Sequence, residues 1–296
     1  MTEPDVQLTD FLEYAACERH LTANTLSAYR SDLLQYAGFA FQQRQCTAWP
    51  DVDELVVRKY VLWLKENGNA LSTVARKVAA IRGFHRFLVM HRGFASDPTY
   101  ALELPRPPLR PLPLLTLSQV QQLLEAPDSE TAVGRRDRAV LELLYASGIQ
   151  ISELIALNYE DVHLDLCAIH CGAVKRNERV VPFGHYARQA LATYMERDKR
   201  TYEKSGAVPL FINGRGGRFS RQGIWKTLKQ YGVVLGISQL FSPETLRQSL
   251  AVHLLENGAD LQSVDTLLGR KSVLHARQVT AHLPLNTFYH RYHPRA

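Results

Sequence analysis

The chain has 296 residues and only four cysteines, too few at this length for a disulfide framework. Cys167 and Cys171, with His163 and His170 nearby, are the cluster whose chemistry comes closest to a metal site. The run LCAIHC reads as a strand, however, with Cys167, Ile169 and Cys171 on one face and His170 on the other. No second Cys/His pair stands at zinc-site spacing, so no metal is expected and the thiols read as buried groups in a reducing cytoplasm. No apolar run approaches the ~18 residues of a membrane span. The opening MTEPDVQLTD is polar and acidic, which predicts neither a signal nor a transit peptide, no membrane partner and a cytoplasmic location. Phosphate-binding glycine loops, nucleophile elbows, internal repeats and low-complexity tracts are missing too. NGRGG at 213–217 lacks the strand-to-helix setting and the following Lys-Ser/Thr that a phosphate loop needs.

What is present is positive charge, unevenly placed. The formal net charge is +6. Residues 1–104 hold 11 Lys/Arg and 12 Asp/Glu, whereas residues 105–296 hold 24 and 17, a surplus of +7. A polyanionic partner, duplex DNA above all, fits that balance. One stretch of the acidic part departs from it: residues 70–95 contain no acid and five basic residues, Arg76, Lys77, Arg82, Arg86 and Arg92. Val74, Val78, Ile81, Phe84 and Leu88 recur there at helical spacing, so the basic side chains fall mostly on the opposite face, where a phosphate backbone or plain solvent would meet them.

Five of the 14 prolines fall between Pro105 and Pro113, which predicts an extended, semi-rigid linker over 104–114 between domains at 1–103 and 115–296. A proline-rich ligand for a partner is the alternative reading of the same segment. The first domain reads as four helices: 10–19 capped by Thr9, 25–40 capped by Thr22 or Asn24, 51–65, and 72–91. In the second, Thr116 caps a helix, another covers 135–147, and Ser152 caps SELIAL after the Gly148 break. The period then changes to two strands, 166–171 and 179–183, around a basic turn. Helices follow at 185–204, at 221–231 after Ser220, at 244–257 after Pro243, and at 261–268 after Asp260. The fold class is mainly α, with a small antiparallel sheet in the second domain.

LTANTLSAYRSDLLQY, residues 21–36, resembles the N-terminal core-binding domain of the tyrosine recombinases. The likeness sharpens through RRDRAVLELLYASGIQISELIALNYEDVHLDL, ERVVP, SPETLRQSLAVHLLENGADLQSVDTLLGRKS and the ending YHPRA, which are similar to the Xer-type integrases. The resemblance implies a SAM-like helical N-domain and an α+β catalytic-type domain closing on duplex DNA as a C-shaped clamp. It also implies tetramers on two DNA sites in which each protomer passes a C-terminal helix to its neighbour. Active members use a tyrosine nucleophile and need no nucleotide cofactor and no obligatory metal.

Their reaction needs two arginines on the charge that gathers on the phosphate, a lysine for the leaving oxygen, supporting histidines and the tyrosine. Carried onto this sequence, the first arginine position holds Gln150 and the lysine position holds Val174, beside Lys175. The first histidine position holds Glu244, and the second arginine is retained as Arg247. The next His or Trp position holds Arg270, and the nucleophile position holds Val279. Val279 has no atom that can attack phosphorus, and Gln150 carries no charge for a bidentate clamp. The apolar periodicity around these positions is nevertheless intact, which random decay would not spare. The resemblance therefore points to a DNA-binding pseudo-enzyme, with Arg247, Arg82, Arg86, Lys175, Arg179 and Arg221 as candidate DNA contacts. One rival is relocated chemistry through Tyr289 or Tyr292, with Lys175 or Ser272 in support; otherwise the tail tyrosines are expected to pack against a neighbouring protomer. The others are an inert protomer in a tetramer with an active recombinase, or a role in replication, partition or transcription.

Overall fold

The structure is a computed structural model that describes residues 3–43, 46–103, 113–172, 178–197, 208–237, 241–269 and 285–296. The chain divides into two compact units, Met1–Arg110 and Pro111–Ala296. The proline-rich residues 104–112 lie outside the described residues. No helix among the described residues is long and apolar enough to cross a membrane.

The N-terminal unit contains helices α1 (Glu3–Cys17), α2 (Ala23–Gly38), α3 (Glu54–Glu66) and α4 (Leu71–Arg92). Helix α1 starts earlier than Thr9 predicts. Thr9 lies inside it and donates its hydroxyl to the Asp5 carbonyl, the backward bond open to a threonine in a helix interior. Thr22 caps α2 by accepting the Thr25 N–H, and the helix runs on through a π turn, Phe39–Gln43. Asp53 caps α3, and α4 stops at Gly93, whose φ of 71° is the left-handed closure that glycine adopts without strain. An aromatic core fills the unit, with Phe11, Tyr36, Trp49, Tyr60 and Phe84 essentially inaccessible to water.

The C-terminal unit begins with α5 (Leu117–Glu125), closed by a reciprocal cap between Thr116 and Gln119, and α6 (Ala132–Ser147), capped by Thr131. Helix α6 is the axis of the unit: ten of its residues from Ala139 to Ser147 and Asp137 onward are buried on almost every side of the last two turns. After it comes α7 (Ile151–Ala156). Its cap is Gln150, not Ser152: the Gln150 N–H donates to Glu153 Oε2 at 2.7 Å, so the acid three residues on chose the start.

Strands β1 (Val162–His163), β2 (Ala168–Cys171) and β3 (Arg179–Pro182) form an antiparallel sheet in the order β1-β2-β3, with Ile169 opposite Val181. Cys167 is left out of β2 with a φ of 49°, so it does not share the strand face that alternation assigns to it. Then follow α8 (His185–Arg197), α9 (Arg221–Val234), α10 (Pro243–Glu256), α11 (Leu261–Leu267) and α12 (Leu285–Tyr292). The last seven residues of the helix expected at 185–204, residues 198–204, lie outside the described residues.

The tail after α12 is packed into its own unit. Phe288 and Tyr289 are buried, and the His293 ring stacks on Tyr289 at 4.3 Å. Arg295 donates to Glu142 of α6 at 2.7 Å, across 153 residues of sequence. Gly184 makes this possible, since a Cβ there would fall 2.1 Å from the Arg295 carbonyl oxygen.

Candidate functional site

Helix α6 ends on Gly148, whose φ is 58° and whose Cβ, if it had one, would sit 2.5 Å from a Leu268 methyl. Only glycine fits that corner. The chain then turns into α7 and opens a cleft of about 420 Å³ together with the starts of α9 and α10. Gln150, Ser152, Arg221, Trp225, Glu244 and Arg247 line it. Four of the residues singled out from the sequence, Gln150, Arg221, Glu244 and Arg247, thus converge on one space.

Arg247 forms the floor and is 4 % exposed. Its two terminal nitrogens donate to the carbonyls of Gly148 and Leu268, the C-terminal ends of α6 and α11. Helix C-termini carry orphan carbonyls and partial negative charge, so a guanidinium there satisfies both acceptors.

Behind it lies an acid–base pair. Arg179 reaches Glu153 with both terminal nitrogens, one at 3.1 Å, in the bidentate form that guanidinium and carboxylate favour. Burial pushes the Glu153 carboxyl up. The Arg179 hydrogen bond, the Gln150 N–H and the charges of Arg179 and Arg247 outweigh it and hold the group below the usual range. Glu153 is an anion and Arg179 is its counter-ion, which distinguishes Arg179 from the more exposed cations.

The rim differs. Gln150 is exposed and its carbonyl oxygen lies 3.4 Å from the Ser152 hydroxyl. Glu244, also exposed, sits in the first turn of α10, where the helix dipole favours negative charge, and accepts a hydrogen bond from Gln248 at 2.6 Å. Arg221 opens α9, an end where the dipole disfavours a cation, and makes no ion pair among the described residues. One turn later Trp225 exposes 44 % of its surface, with Lys229 Nζ 4.6 Å over its ring.

In the N-terminal unit, the basic stretch of α4 is less free than its composition implies. Arg76 and Lys77 both bind Asp32, a buried carboxylate, and Arg92 binds Asp10. Arg82 and Arg86 make no ion pair among the described residues, and Arg86 is exposed. Val174, Lys175, Arg270, Ser272 and Val279 lie outside the described residues.

The tail tyrosines do not line the cleft. Tyr289 is 1 % exposed, and burial holds its phenol well above its ordinary pKa, which opposes the loss of a proton that a nucleophile needs. Tyr292 packs part-buried against the core of the same unit, with its ring 5.5 Å from Phe288 and its carbonyl accepting from Asn257. Both residues therefore pack within their own chain, contrary to the expected packing on a neighbour, because the apolar face of α12 finds its cover there. Cys171 is buried, and mainly for that reason its thiol is pushed up to about 12. Among the described residues no three His, Cys, Asp or Glu side chains are placed to hold a metal ion.

Two residues of the site escape a reading by position. Glu153 is visible only as the fourth residue of Q-I-S-E, the capping spacing. Trp225 stands four residues after Arg221, the helical interval that places both on one side of α9.

Comparison with known proteins bears on the whole chain. The profile of the phage integrase family matches residues 113–284, and that of the phage integrase N-terminal SAM-like domain matches residues 8–92. A tyrosine recombinase XerD from Halalkalibacterium halodurans is 36 % identical over 293 residues, covering 98 % of each chain. A tyrosine recombinase XerC from a Roseiflexus species is 42 % identical over 272 residues, covering 90 % of this chain and 86 % of the relative. Among solved structures, the Tn1549 transposon integrase in complex with circular intermediate DNA superposes with a TM-score of 0.71 over 95 % of this chain and 97 % of that one, at 15 % identity. The helical SAM-like unit, the mixed unit with its three-stranded sheet and the extent of these matches agree: the chain belongs to the phage integrase family, the tyrosine recombinases.

Proposed function

We propose that this chain is a duplex-DNA-binding member of its family that holds DNA without cleaving it. One observation carries the reading: Gln150 and Glu244 line the same cleft as Arg247, a neutral amide and a carboxylate where the family chemistry calls for a guanidinium and an imidazole. A carboxylate there repels a phosphate, and an amide cannot supply the charge-assisted fork that steadies the transition state. Losing one electrostatic donor typically costs about 10²–10³ in rate. Val174 in place of the lysine, Arg270 in place of His or Trp, and Val279 in place of the nucleophile extend the same loss along the sequence. With no nucleophile at its usual position, the remaining donors have no attacking atom to assist.

Binding is a different matter. The surplus of +7 in residues 105–296 supports attraction to a phosphate backbone, and Arg247, Arg82, Arg86, Arg221, Lys175 and Arg179 are the side chains assigned to it. The role is in DNA recombination or integration, or in its regulation, in the cytoplasm. The partner is an active recombinase in a tetramer on two DNA sites, in which this protomer occupies one arm.

A nicked suicide duplex incubated with the full-length protein tests both halves at once. The expected outcome is a salt-sensitive gel shift with no covalent adduct. An adduct that survives denaturation overturns the inactivity, and no shift at low salt overturns the DNA binding. Co-purification from the native cell tests the partner: an active recombinase must come down with the chain.

A further inference from the structure

The cleft that holds Gln150 and Glu244 also has a flat aromatic wall, which phosphate chemistry does not use. On α9, Ile224 and Leu228 are buried, and the residue after Ile224 is turned away from that core by the helical pitch. That residue is Trp225, which lines the cleft with 44 % of its surface exposed. Lys229 Nζ stands 4.6 Å over its ring and ties the indole to its own helix. Ile149, Ile151 and Pro243 add apolar lining.

Two polar edges complete the space. Gln150 Oε1 faces the Ser152 hydroxyl at 3.4 Å, which leaves the amide nitrogen as a donor. No hydrogen bond among the described residues uses that nitrogen. Glu244 takes Gln248 on Oε1, while its Oε2 accepts nothing among the described residues. The cleft thus presents one aromatic face, one donor and one acceptor within about 420 Å³, inside the roughly 300–1,000 Å³ of small-molecule sites.

Charge selects the ligand class. An anion would meet the Glu244 carboxylate and a cation would meet Arg221, whereas a neutral planar ring meets neither penalty. We propose that this cleft binds a nucleobase that carries an exocyclic amino group beside a ring-nitrogen acceptor, adenine or cytosine; the inference rests on the reading that no scissile phosphate is handled there. The amino group donates to Glu244, and the ring nitrogen accepts from the Gln150 amide. Side-chain carboxylates and amides read the amino groups of these two bases in DNA grooves by the same chemistry. Thymine sets its one ring N–H between two carbonyl oxygens, which a carboxylate repels. Stacking on Trp225 supplies affinity that does not depend on the edge.

Calorimetry on the full-length protein with deoxyadenosine, deoxycytidine and thymidine tests the site. The first two are expected to saturate one site, and thymidine to bind at least about fivefold more weakly. Trp225→Ala should weaken all binding by about fivefold or more, the loss of one stacked base. Glu244→Ala should bring deoxyadenosine and deoxycytidine down to the level of thymidine. Both side chains are exposed, and melting temperatures near that of the unsubstituted protein exclude misfolding as the cause. No saturable binding at millimolar nucleoside overturns the proposal, as does binding that Trp225→Ala leaves unchanged or that treats thymidine like the others.

Gel shifts then identify the source of the base. If it belongs to DNA, a duplex with one unpaired adenine binds more tightly than its fully paired counterpart, and deoxyadenosine removes the difference. If it belongs to a free nucleoside or nucleotide, the two duplexes bind alike in its presence; either outcome sustains the site. Failure here is distinct from failure of the inactivity. An adduct on the suicide duplex overturns inactivity whatever the nucleosides do, and absent nucleoside binding without an adduct overturns this site alone.

Discussion

The two units handle their cations differently. In the N-terminal unit the basic side chains meet carboxylates: Arg76 and Lys77 share Asp32, Arg92 holds Asp10, and Arg58 holds Glu54. In the C-terminal unit three arginines meet acids among the described residues, and several guanidiniums also donate to backbone carbonyls. Arg247 donates to Gly148 and Leu268, Arg218 to Ile155 and Leu157, Arg188 to Leu164, Arg135 to Ser129 and Glu130, and Arg136, which also holds Asp137, to Ile212. A carboxylate cancels a cation, whereas a carbonyl fixes its direction and leaves its charge. Composition already sets the two parts apart, with a balance of −1 in residues 1–104 and +7 in residues 105–296. In α4 this leaves Arg82 and Arg86 without an ion pair among the described residues.

The strongest challenge to this contrast is Asp32→Ala, which leaves Lys77, one-tenth exposed, without its 3.0 Å counter-ion. The N-terminal unit should lose about 3–5 kcal/mol in urea unfolding, the cost of a buried charge left alone. The C-terminal counterpart is Arg247→Leu. Two buried carbonyls lose their donors, and that unit should lose about 2–3 kcal/mol while the N-terminal transition stays put. Equal effects on both transitions would dissolve the distinction between the units.

Acid tests the same division. Burial lowers His85 to about 4 in the N-terminal unit and His293 to about 3 in the C-terminal unit, where it lowers His253 too. Each is held neutral in the fold, so below about pH 6.5 the unfolded chain binds protons that the folded chain refuses. Stability is full above that pH and falls as pH drops toward the folded values, by up to about 1.4 kcal/mol per pH unit for each histidine. Urea midpoints measured down a pH series should decline more steeply for the C-terminal unit, with its two lowered histidines. The smallest effect on stability belongs to Arg86→Ala, within about 0.5 kcal/mol, because the side chain is exposed and makes no ion pair among the described residues. Its signature is a shallower salt dependence of duplex binding, by about one unit of slope.

Helix starts were legible wherever a single side chain decides them: Thr22, Thr116, Ser220 and Asp260 cap the helices that their chemistry announces. Thr9 and Ser152 misled because a hydroxyl that serves as a cap can equally bond back within a helix, and because Glu153 outcompetes Ser152 for the start of α7. The convergence of Gln150, Glu244 and Arg247 followed from resemblance alone. No local pattern says that residues about a hundred positions apart share a cleft. The pairing of Arg76 and Lys77 with Asp32 was invisible for the same reason: a run without acids looks free until another helix supplies one. Tyr289 was misplaced because its aromatic ring fits a neighbour's surface or its own core equally well by composition.

The junction of Arg295 with Glu142 and Gly184 also sets an order of events in time. Its two ends are 153 residues apart, so at roughly 5–20 residues per second a ribosome needs about 8–30 s to deliver the second after the first. During that interval α6 has emerged with Glu142, but its partner has not. The N-terminal unit carries its own core and can close while synthesis continues. The C-terminal unit cannot close the contact between Arg295 and Glu142 until the tail has been made, so its last packing step comes after synthesis of the whole unit.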